Sequence, residues 1–431
     1  MINFYSQACH LSGTCDLPTS KSQSIRAIFF ATMAKGRSTI DSPLNSPDIQ
    51  AMIKACSQLG ATINQQANQL IIDGINAKPN TPDNVIDAGN SGQVLRFIAC
   101  FSGLQSGHVV ITGDHSIRNN RPVAPLIESL PQLGMRCDTL RGDHHAPLIL
   151  KGPFQRIETS LSGKDSQPVS GLLMTAPFSA FGMNITVRDP GEVPWIDLTL
   201  SWLDRFHIPY INNNYKYFCI KGGHRITGFD YKVPGDLSTL SFPLAAALVT
   251  QSSLTINHVN MNEPQGDKAI VDIFQQMGAD IRINEQTQSL VVHGNQMLSG
   301  ISVNINHCID CIAILAVVAC FANSPTQITG AAIAREKESN RIEVIAQALN
   351  AMGGKVRPTE DGLIIEPATL HGATHHAHHD HRIAMSLAIA GFGATGVNII
   401  HDVDCVNKSY PGFAEAMSKM GASITTSKNR R

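Results

Sequence analysis

DIQAMIKACSQLGATI, residues 48–63, joins an amphipathic helix pattern to a glycine and a strand-like run. Apolar residues recur every three or four positions before the glycine, as they do on the buried face of a helix. A glycine directly after the last apolar turn is a helix C-cap signal. The stretch therefore predicts a helix that ends just before Gly60 and leads into a strand.

The phrase around this glycine occurs six times along the chain. The other copies are QLGMRC from 132, QMGADI from 276, AMGGKV from 351, KMGASI from 419 and a degenerate copy, RFHIPYI, from 205. The equivalent positions are Gly60, Gly134, His207, Gly278, Gly353 and Gly421, which are separated by 74, 73, 71, 75 and 68 residues. A nearly constant spacing indicates six copies of one unit. The period is longer than that of the common solenoids, so a globular α/β assembly of repeats is expected.

A second, very apolar helix pattern alternates with the first, and its six copies begin with polar residues. These beginnings are SKSQSIR from 20, GNSGQVLR from 89, KDSQPVS from 164, PGDLSTLS from 234, CIDCIAI from 308 and HDHRIAM from 379. If equivalent units pack with these buried helices parallel, their N-termini converge. Aligned dipole ends and free backbone N–H groups would then form an anion site.

Cations stand near several of these helix starts and near other helix starts along the chain, where the positive end of a helix dipole would disfavour them. They are Lys21, Arg26, Arg121, Lys337, Arg341, Arg382 and Lys408. Arginine suits bidentate binding of phosphate or carboxylate, and lysine supplies a point charge. Solvated surface residues are the alternative for any single cation. Seven cations at equivalent places favour a bound polyanion.

Composition limits the protein class. The 431 residues are 43% apolar and 16% charged, which predicts a globular chain of two or more domains. The formal net charge of −1 gives no overall positive field for nucleic acid or for an anionic membrane. The longest apolar run, residues 312–322, is about half of a membrane span.

The N-terminal residues and the cysteines predict the compartment. Residues 1–13 lack the basic and apolar regions of a signal peptide. The ten cysteines are scattered through mostly apolar contexts, in a chain too long to need disulfides for stability. They are therefore expected to be reduced core thiols in a cytoplasmic protein.

Four of these segments together resemble the motifs of one enzyme family. SKSQSIR is similar to its Lys-Ser…Arg segment, AGNSGQVLR to its Gly-Asn-x-Gly…Arg loop, REKESNR to its KEKESNR motif and HDHRIAM to its Asn-Asp-His-Arg segment. On these motifs the chain resembles the 5-enolpyruvylshikimate-3-phosphate (EPSP) synthases, and most of all the chlamydial-type members. The likeness runs nearly from end to end.

The resemblance implies an α/β fold of two lobes, each built from three βαβαββ units with buried parallel helices. Residues 1–17 and 233–431 are expected to form lobe I, and residues 18–232 lobe II. The active-site cleft would lie between the lobes. The six-fold repeat agrees with this fold, whereas the split domain follows from the family alone.

The family transfers the enolpyruvyl group of phosphoenolpyruvate to the 5-hydroxyl of shikimate 3-phosphate and releases phosphate. The resemblance implies the same reaction here, with these two small molecules as the only partners and with no metal or organic cofactor. The addition and elimination need a base at the hydroxyl and a group that handles the C3 proton. They also need fixed positive charge at the substrate anions. A monomer is expected.

The resemblance also implies residue roles. Asp310 would be the base for the 5-hydroxyl, Glu338 would serve the C3 proton and Lys21 would lie near the reacting centre. Shikimate 3-phosphate would be bound by Lys21, Ser22, Arg26, Ser166, Gln167, Trp195, Asp310 and Lys337. Phosphoenolpyruvate would be bound by Lys21, Gly92, Arg121, Gln167, Arg341, Arg382 and Lys408.

Several positions depart from the family pattern. Glu192 and Val193 replace a Ser-Lys pair, Asp165 replaces a Ser, Ile333 and His379 each replace an Asn, and Gln93 and Phe97 replace a Thr and a Pro. The two acidic replacements raise the question of how the substrate phosphate is bound. By the resemblance, Gly92 would leave room for glyphosate, a mimic of phosphoenolpyruvate. We expect competitive but weaker inhibition, because Gln93 is larger than Thr and a Pro is lost at Phe97.

Other readings of the same segments remain open. The tract HHAHHDHR, residues 375–382, could bind zinc, with CIDC at 308–311 adding thiolates. The sister transferase that acts on UDP-N-acetylglucosamine shares the fold, but it has Lys-Asn in place of Lys21-Ser22 and usually carries a loop cysteine that residues 114–122 lack. A nucleotide-dependent kinase is disfavoured, because the sequence contains no GxxxxGK[ST] loop. An alternative outside the enzymes is a non-catalytic protein that binds phosphoanions.

Overall fold

The computed structural model describes residues 2–428 of the chain and contains six four-stranded sheets within them. The chain forms two compact units, and each unit contains three of the six sheets. Thr19–Val233 forms one of them, called here the inserted unit. The chain up to Pro18 and from Pro234 onward forms the other, called the split unit. The chain thus passes between the units twice.

Thirteen α-helices lie within residues 2–428. They are α1 Lys21–Met33, α2 Pro47–Gln58, α3 Gly92–Phe101, α4 His115–Asn119, α5 Ala124–Gln132, α6 Ser166–Thr175, α7 Val193–Arg205, α8 Leu237–Val249, α9 Ala269–Gln276, α10 Ile312–Cys320, α11 Arg341–Ala351, α12 His381–Phe392 and α13 Phe413–Lys419. Short 3₁₀ turns precede several of them, including Ile309–Cys311 before α10 and Ala332–Glu336 before α11.

The same residues form 24 strands. The first fourteen are β1 Ile2–Gln7, β2 Thr14–Asp16, β3 Lys35–Asp41, β4 Thr62–Gln65, β5 Gln69–Ile75, β6 Ile86–Asp87, β7 His108–Thr112, β8 Arg136–Thr139, β9 Leu148–Lys151, β10 Glu158–Ser162, β11 Gly182–Arg188, β12 Tyr210–Asn213, β13 Tyr217–Lys221 and β14 Asp230–Lys232. The other ten are β15 Ser253–Asn257, β16 Asp280–Asn284, β17 Ser289–His293, β18 Ser302–Asn304, β19 Thr326–Thr329, β20 Lys355–Pro358, β21 Leu363–Glu366, β22 Thr374–His376, β23 Asn398–His401 and β24 Ser423–Lys428.

All six sheets have the same pattern. In the inserted unit the strand orders are β14-β3-β5-β4, β6-β7-β9-β8 and β10-β11-β13-β12. In the split unit they are β16-β17-β15-β2, β18-β19-β21-β20 and β22-β23-β1-β24. Each sheet contains one parallel pair, and its other pairs are antiparallel. The predicted set of six βαβαββ units, three in each half of the fold, is confirmed.

The passages between the units exchange the first strands of two repeats. Strand β2 is followed in the chain by α1, yet it pairs in parallel with β15, which follows α8. Strand β14 is followed by α8, yet it pairs in parallel with β3, which follows α1. Strand β2 thus stays in the split unit and β14 in the inserted unit, although the chain after each strand continues into the other unit. Strand β1 completes the sheet of the last repeat by pairing with β23 and β24.

The repeated glycine ends its helix in the way the sequence predicts. The N–H of Gly60 donates to the carbonyl oxygen of Ser57, and the N–H of Ala61 donates to that of Cys56, which is a Schellman cap. This cap needs a positive φ. The φ values at the repeat positions are +112° at Gly60, +83° at Gly134, +52° at His207, +101° at Gly278, +88° at Gly353 and +96° at Gly421.

The very apolar helix of each repeat, which is the first of its two helices, forms the core. All residues of α8 and α10 are buried in the split unit, and all but the first residue of α1 are buried in the inserted unit. Each unit has its own apolar cluster. The apolar run at 312–322 is thus a core helix of nine residues, and no helix within residues 2–428 is long and apolar enough to cross a membrane.

All ten cysteines are free, and seven of them are buried. Burial raises the pKa of Cys56, Cys137 and Cys320 to about 12, which leaves these thiols protonated. They therefore act as small apolar core residues.

Candidate active site

In the split unit, the starts of α8 and α12 contact each other. Asp236 caps α8, and its Oδ1 accepts hydrogen bonds from the N–H of Ser238 and of Thr239. Asp380 caps α12 in the same way, through the N–H of Arg382. The guanidinium of Arg382 then donates to Ser238 Oγ at 2.9 Å. Aspartate is a favoured cap because it satisfies N–H groups that the helix leaves without partners.

Arg341, the first residue of α11, is held by three carboxylates. Its Nε lies 2.8 Å from Asp380 Oδ2, its Nη1 2.6 Å from Asp310 Oδ1 and its Nη2 2.7 Å from Glu338 Oε2. Its side chain is only 1% exposed. Burial opposes its charge, but the charges of Asp380, Glu338 and Asp310 outweigh burial and hold its pKa well above the usual value.

Asp310 lies in the 3₁₀ turn before α10 and is shared between two arginines. Its second oxygen, Oδ2, is 2.8 Å from Arg382 Nη2. Burial raises the pKa of Asp310, but the charges of Arg382, Arg341 and Lys337 outweigh it and hold that pKa well below the usual value. Its side chain keeps 25% of its surface exposed, so the carboxylate is ionised and still accessible.

Glu338 is shared between two cations in a similar way. Its Oε2 accepts from Arg341, and its Oε1 is 2.7 Å from the Nζ of Lys408. The side chains of Glu338 and Lys408 are 7% and 5% exposed. Three carboxylates and four cations, Lys337 included, therefore share this part of the split unit. Each proposed proton-transfer group accepts from two proposed substrate-binding cations.

In the inserted unit, the starts of α1 and α3 are joined by side chains. Ser20 and Ser91 cap these helices. The amide nitrogen Nε2 of Gln93 donates to Ser22 Oγ at 3.0 Å. Lys21, the first residue of α1, lies 3.6 Å from Asp48 Oδ2 in the first turn of α2. The predicted shikimate-binding residues Lys21 and Ser22 are thus fixed from two neighbouring helices.

Arg26 is a buried cation whose described partners are neutral. Its guanidinium donates to Thr199 Oγ1 at 2.8 and 3.0 Å and to the carbonyl oxygens of Trp195 and Ser22 at 3.3 Å. The ring of Phe97 lies 5.3 Å from its Cζ, which adds a cation–π contact. Burial lowers the pKa of Arg26. A buried cation of this kind would gain from an anionic ligand.

Gly92 begins α3 in a crowded position. A Cβ at Gly92 would lie 2.5 Å from Arg121 Nη1, 2.8 Å from Arg96 Nη1 and 3.1 Å from Gln167 Oε1. Two guanidinium groups and the start of α6 therefore surround the backbone of this glycine. Asp165, one of the acidic departures, caps α6 and lies 3.0 Å from Arg96, so its charge is paired.

Glu192, the other acidic departure, lies against the start of α6. Its Oε2 accepts from the N–H of Ser166 at 3.1 Å and from Ser166 Oγ at 3.2 Å. It is 4% exposed, and its backbone has a left-handed φ of +48° just before α7. Trp195, in the first turn of α7, is half-buried.

The predicted site residues therefore fall into two clusters, one in each unit. The split unit brings together Asp310, Lys337, Glu338, Arg341, Arg382 and Lys408. The inserted unit holds Lys21, Ser22, Arg26, Gly92, Arg121, Ser166, Gln167 and Trp195. Sequence reasoning missed Asp380, Ser238, Arg96, Asp48 and Thr199 as supports. For Asp380 a signal existed, because an aspartate directly before a buried helix also occurs at Asp165 and Asp236.

Two further departures, Ile333 and His379, make none of the contacts described above. Ile333 is partly buried against the core of the split unit, and His379 is exposed. In the histidine tract, His375 is buried and bonded to Asn398, and burial lowers its pKa. Across residues 2–428, no three His, Cys, Asp or Glu side chains are arranged to hold a metal ion.

Comparison with known proteins places the chain in one family. A sequence model of EPSP synthase (3-phosphoshikimate 1-carboxyvinyltransferase) matches residues 6–417. The 3-phosphoshikimate 1-carboxyvinyltransferase of Chlamydia felis is 39% identical over 416 residues, which cover 96% of this chain and 92% of the relative. That of Ruminiclostridium cellulolyticum is 36% identical over 418 residues, which cover 97% and 98%. The solved EPSP synthase of Acinetobacter baumannii superposes with a TM-score of 0.80 at 28% identity, over 99% of this chain and 100% of that structure.

Proposed function

The chain belongs to the EPSP synthase family, and we propose that its two residue clusters carry out the reaction of that family. The enzyme transfers the enolpyruvyl group of phosphoenolpyruvate to the 5-hydroxyl of shikimate 3-phosphate and releases phosphate. The observation that best supports this use of the clusters is the position of Asp310 and Glu338. Each carboxylate lies between two cations that a polyanionic substrate would also bind.

Phosphoenolpyruvate is bound by cations of both units in this proposal. From the split unit, Arg341, Arg382 and Lys408 contribute three positive charges. From the inserted unit, Lys21, Gly92, Arg121 and Gln167 complete the set. Hydrogen bonds between charged donors and phosphate or carboxylate oxygens are about twice as strong as neutral ones. Because Gly92 has no side chain, the guanidinium of Arg121 can lie close to the start of α3.

The acid–base steps use the two carboxylates. Glu338 delivers a proton to C3 of phosphoenolpyruvate, while the 5-hydroxyl attacks C2 and gives its proton to Asp310. The tetrahedral intermediate then loses phosphate as the bond from C2 to the phosphate oxygen breaks. Glu338, now ionised, takes a proton back from C3, and Asp310 gives its proton to the departing phosphate. Fixed positive charge from Lys21 and the arginines stabilises the anions throughout.

Binding of phosphoenolpyruvate would itself prepare Asp310 for this role. Arg341 and Arg382 are the main groups that lower the pKa of Asp310. When a substrate anion draws these guanidiniums toward itself, Asp310 loses part of that stabilisation. Its pKa then rises, because a weaker positive field favours the protonated form. The carboxylate becomes a stronger base when the substrate is present.

Shikimate 3-phosphate is bound mainly by the inserted unit. Lys21, Ser22, Arg26, Ser166, Gln167 and Trp195 lie there, and Asp310 and Lys337 come from the split unit. Arg26 suits the planar carboxylate of the acceptor, because a guanidinium can donate to both oxygens. The N–H and hydroxyl of Ser166, at the start of α6, suit its phosphate.

The two units act as the two lobes of the enzyme in this account, with lobe I comprising 1–17 and 233–431 and lobe II comprising 18–232. The reaction is a proton-coupled addition and elimination, so it calls for no metal or organic cofactor. We further propose that the enzyme works in the cytoplasm as a monomer and without a nucleic-acid partner.

Phosphate release with defined acceptors tests the function. The full-length protein is mixed with phosphoenolpyruvate and shikimate 3-phosphate, or with phosphoenolpyruvate and UDP-N-acetylglucosamine. We expect phosphate and an equal amount of enolpyruvyl product with the first acceptor alone. Turnover of the nucleotide sugar would identify the sister transferase, and binding of shikimate 3-phosphate without phosphate release would identify a non-catalytic protein.

A further inference from the structure

The start of α6 is contacted by a carboxylate of the protein itself, that of Glu192. Ser166 N–H and Ser166 Oγ both donate to one oxygen of Glu192, at 3.1 and 3.2 Å. Ser166 is 2% exposed and Glu192 is 4% exposed, so water does not easily separate them. The N–H and the hydroxyl of Ser166 at this helix start are therefore already used by a carboxylate.

The chain conformation around Glu192 keeps the carboxylate in this place. Its φ of +48° lies in the left-handed region, which is uncommon for a residue with a side chain. A residue held in such a conformation is often one whose position matters for function. Val193 and Pro194 begin α7 directly afterwards, so the backbone on the C-terminal side is fixed by a helix. The backbone that carries the Glu192 side chain is thus fixed beside the start of α6.

The neighbouring acidic residue, Asp165, does not share this position. Its Oδ2 lies 3.0 Å from the guanidinium of Arg96, and its Oδ1 accepts from the N–H of Gln167. Asp165 therefore pairs with α3 and caps α6 from the side. Glu192 is the carboxylate that occupies the two donors of Ser166.

We propose that Glu192 is a specificity-determining residue, an internal anion that competes with the 3-phosphate of the acceptor for the donors of Ser166. This inference rests on the proposed function, which assigns Ser166 to shikimate 3-phosphate. A phosphate oxygen that accepts both of these hydrogens must displace Glu192 Oε2. The phosphorylated acceptor binds only when the Glu192 side chain turns away, and this displacement weakens its binding.

The effect should depend on the phosphate. Shikimate carries the same carboxylate and hydroxyls but lacks the phosphate, so it does not need the donors of Ser166. Removing the charge of Glu192 should therefore tighten the binding of shikimate 3-phosphate and leave that of shikimate unchanged. The ratio of the two dissociation constants isolates the competition from any general change in the site.

The experiment compares the full-length protein with Glu192→Gln and Glu192→Ser. Dissociation constants for shikimate 3-phosphate and for shikimate are measured by calorimetry. We expect the constant for shikimate 3-phosphate to fall by roughly 10- to 100-fold, the worth of one hydrogen bond to a charged group. The constant for shikimate should stay within about twofold. Glu158→Gln is the matched control, since Glu158 is an exposed carboxylate of the same unit bonded to Asn184.

Three results would overturn the proposal. If both constants rise in the Glu192 variants, Glu192 binds the hydroxyls of the acceptor. If both fall equally, the competing group is the acceptor carboxylate and not its phosphate. If neither changes, Glu192 only caps α6. Thermal unfolding of each variant shows that it is folded, and Glu192→Ser gives a second reading if Glu192→Gln is unstable.

The outcome is separable from that of the proposed function. Turnover by the parent protein with phosphoenolpyruvate and shikimate 3-phosphate tests the reaction, whereas the ratio of dissociation constants tests Glu192. Turnover with an unchanged ratio would reject the role of Glu192 alone. Absence of turnover would reject the reaction whatever the ratio shows.

Discussion

Arg341 Nη1 lies 2.6 Å from Asp310 Oδ1, so a proposed substrate-binding cation and the proposed base form one ion pair. The same guanidinium also contacts Glu338. Substrate binding and proton transfer therefore involve the same charges. An anion that binds Arg341 must compete with both carboxylates, and in doing so it changes their proton affinity.

The shared pairing predicts proton uptake when phosphoenolpyruvate binds. Weakening the pairs of Asp310 with Arg341 and Arg382 raises its pKa, so the carboxylate takes up part of a proton. The measurement is calorimetry at pH 6 with phosphoenolpyruvate alone, in two buffers of different ionisation enthalpy. The same measurement on Asp310→Asn gives the protons that the ligand itself takes up or releases. Subtracting this value leaves the proton uptake by Asp310. Equal proton uptake by parent and variant would contradict the prediction.

Asp380→Asn should destabilise the split unit. Asp380 is fully buried and holds Arg341 through Nε, and removing one partner of a buried ion pair typically costs about 3 kcal/mol. We expect a lower free energy of unfolding in denaturant and a higher KM for phosphoenolpyruvate, since Arg341 loses its anchor. Asp361→Asn, which alters a partly buried carboxylate of the same unit bonded to Gly330 N–H, is the comparison. Stability equal to that of the parent would show that the other carboxylates suffice.

Gly92→Ala should impair phosphoenolpyruvate binding more than acceptor binding. The new methyl group would lie 2.5 Å from Arg121 Nη1 and 2.8 Å from Arg96 Nη1, so both guanidiniums must move. We expect KM for phosphoenolpyruvate to rise several-fold, the inhibition constant for glyphosate to rise further and KM for shikimate 3-phosphate to change little. Unchanged inhibition by glyphosate would place the inhibitor away from Gly92.

Gln93→Thr tests the loop beside this glycine. Gln93 donates to Ser22, and Phe97 lies in the middle of α3 with its ring near Arg26. Proline at 97 would break a helical hydrogen bond here, so the single change at Gln93 is the cleaner variant. We predict competitive inhibition by glyphosate in the parent and a lower inhibition constant in Gln93→Thr. Equal constants would show that the larger side chain does not weaken inhibition.

The structural features that depend on local sequence pattern could be predicted from the sequence. The helix ends at Gly60 and its equivalents follow from the glycine after an apolar turn, and the polar starts of the buried helices follow from capping. The exchange of β2 and β14 between repeats could not be predicted locally, because both strands pair with segments more than 100 residues away. That feature depended on the family resemblance.

Within the candidate site, the sequence identified the residue types but not their partners. The pairing of Arg341 with Asp310 joins the starts of two helices and depends on how those helices pack. Two of the neutral partners of Arg26, Trp195 and Thr199, come from α7, and Thr199 is 173 positions along the chain. Glu192 was recognised as a departure, but its contact with Ser166 appears only when the starts of α6 and α7 are seen together.

Turnover by Asp310→Asn and Glu338→Gln tests the central claim most directly. Phosphate release is measured with phosphoenolpyruvate and shikimate 3-phosphate beside the parent protein and Glu343→Gln, which alters an exposed carboxylate on the first turn of α11. The account predicts that both site variants fold, bind shikimate 3-phosphate and lose turnover by roughly 10²- to 10⁴-fold, while Glu343→Gln keeps parental turnover. Near-parental turnover in either site variant would contradict the proposed role of that carboxylate.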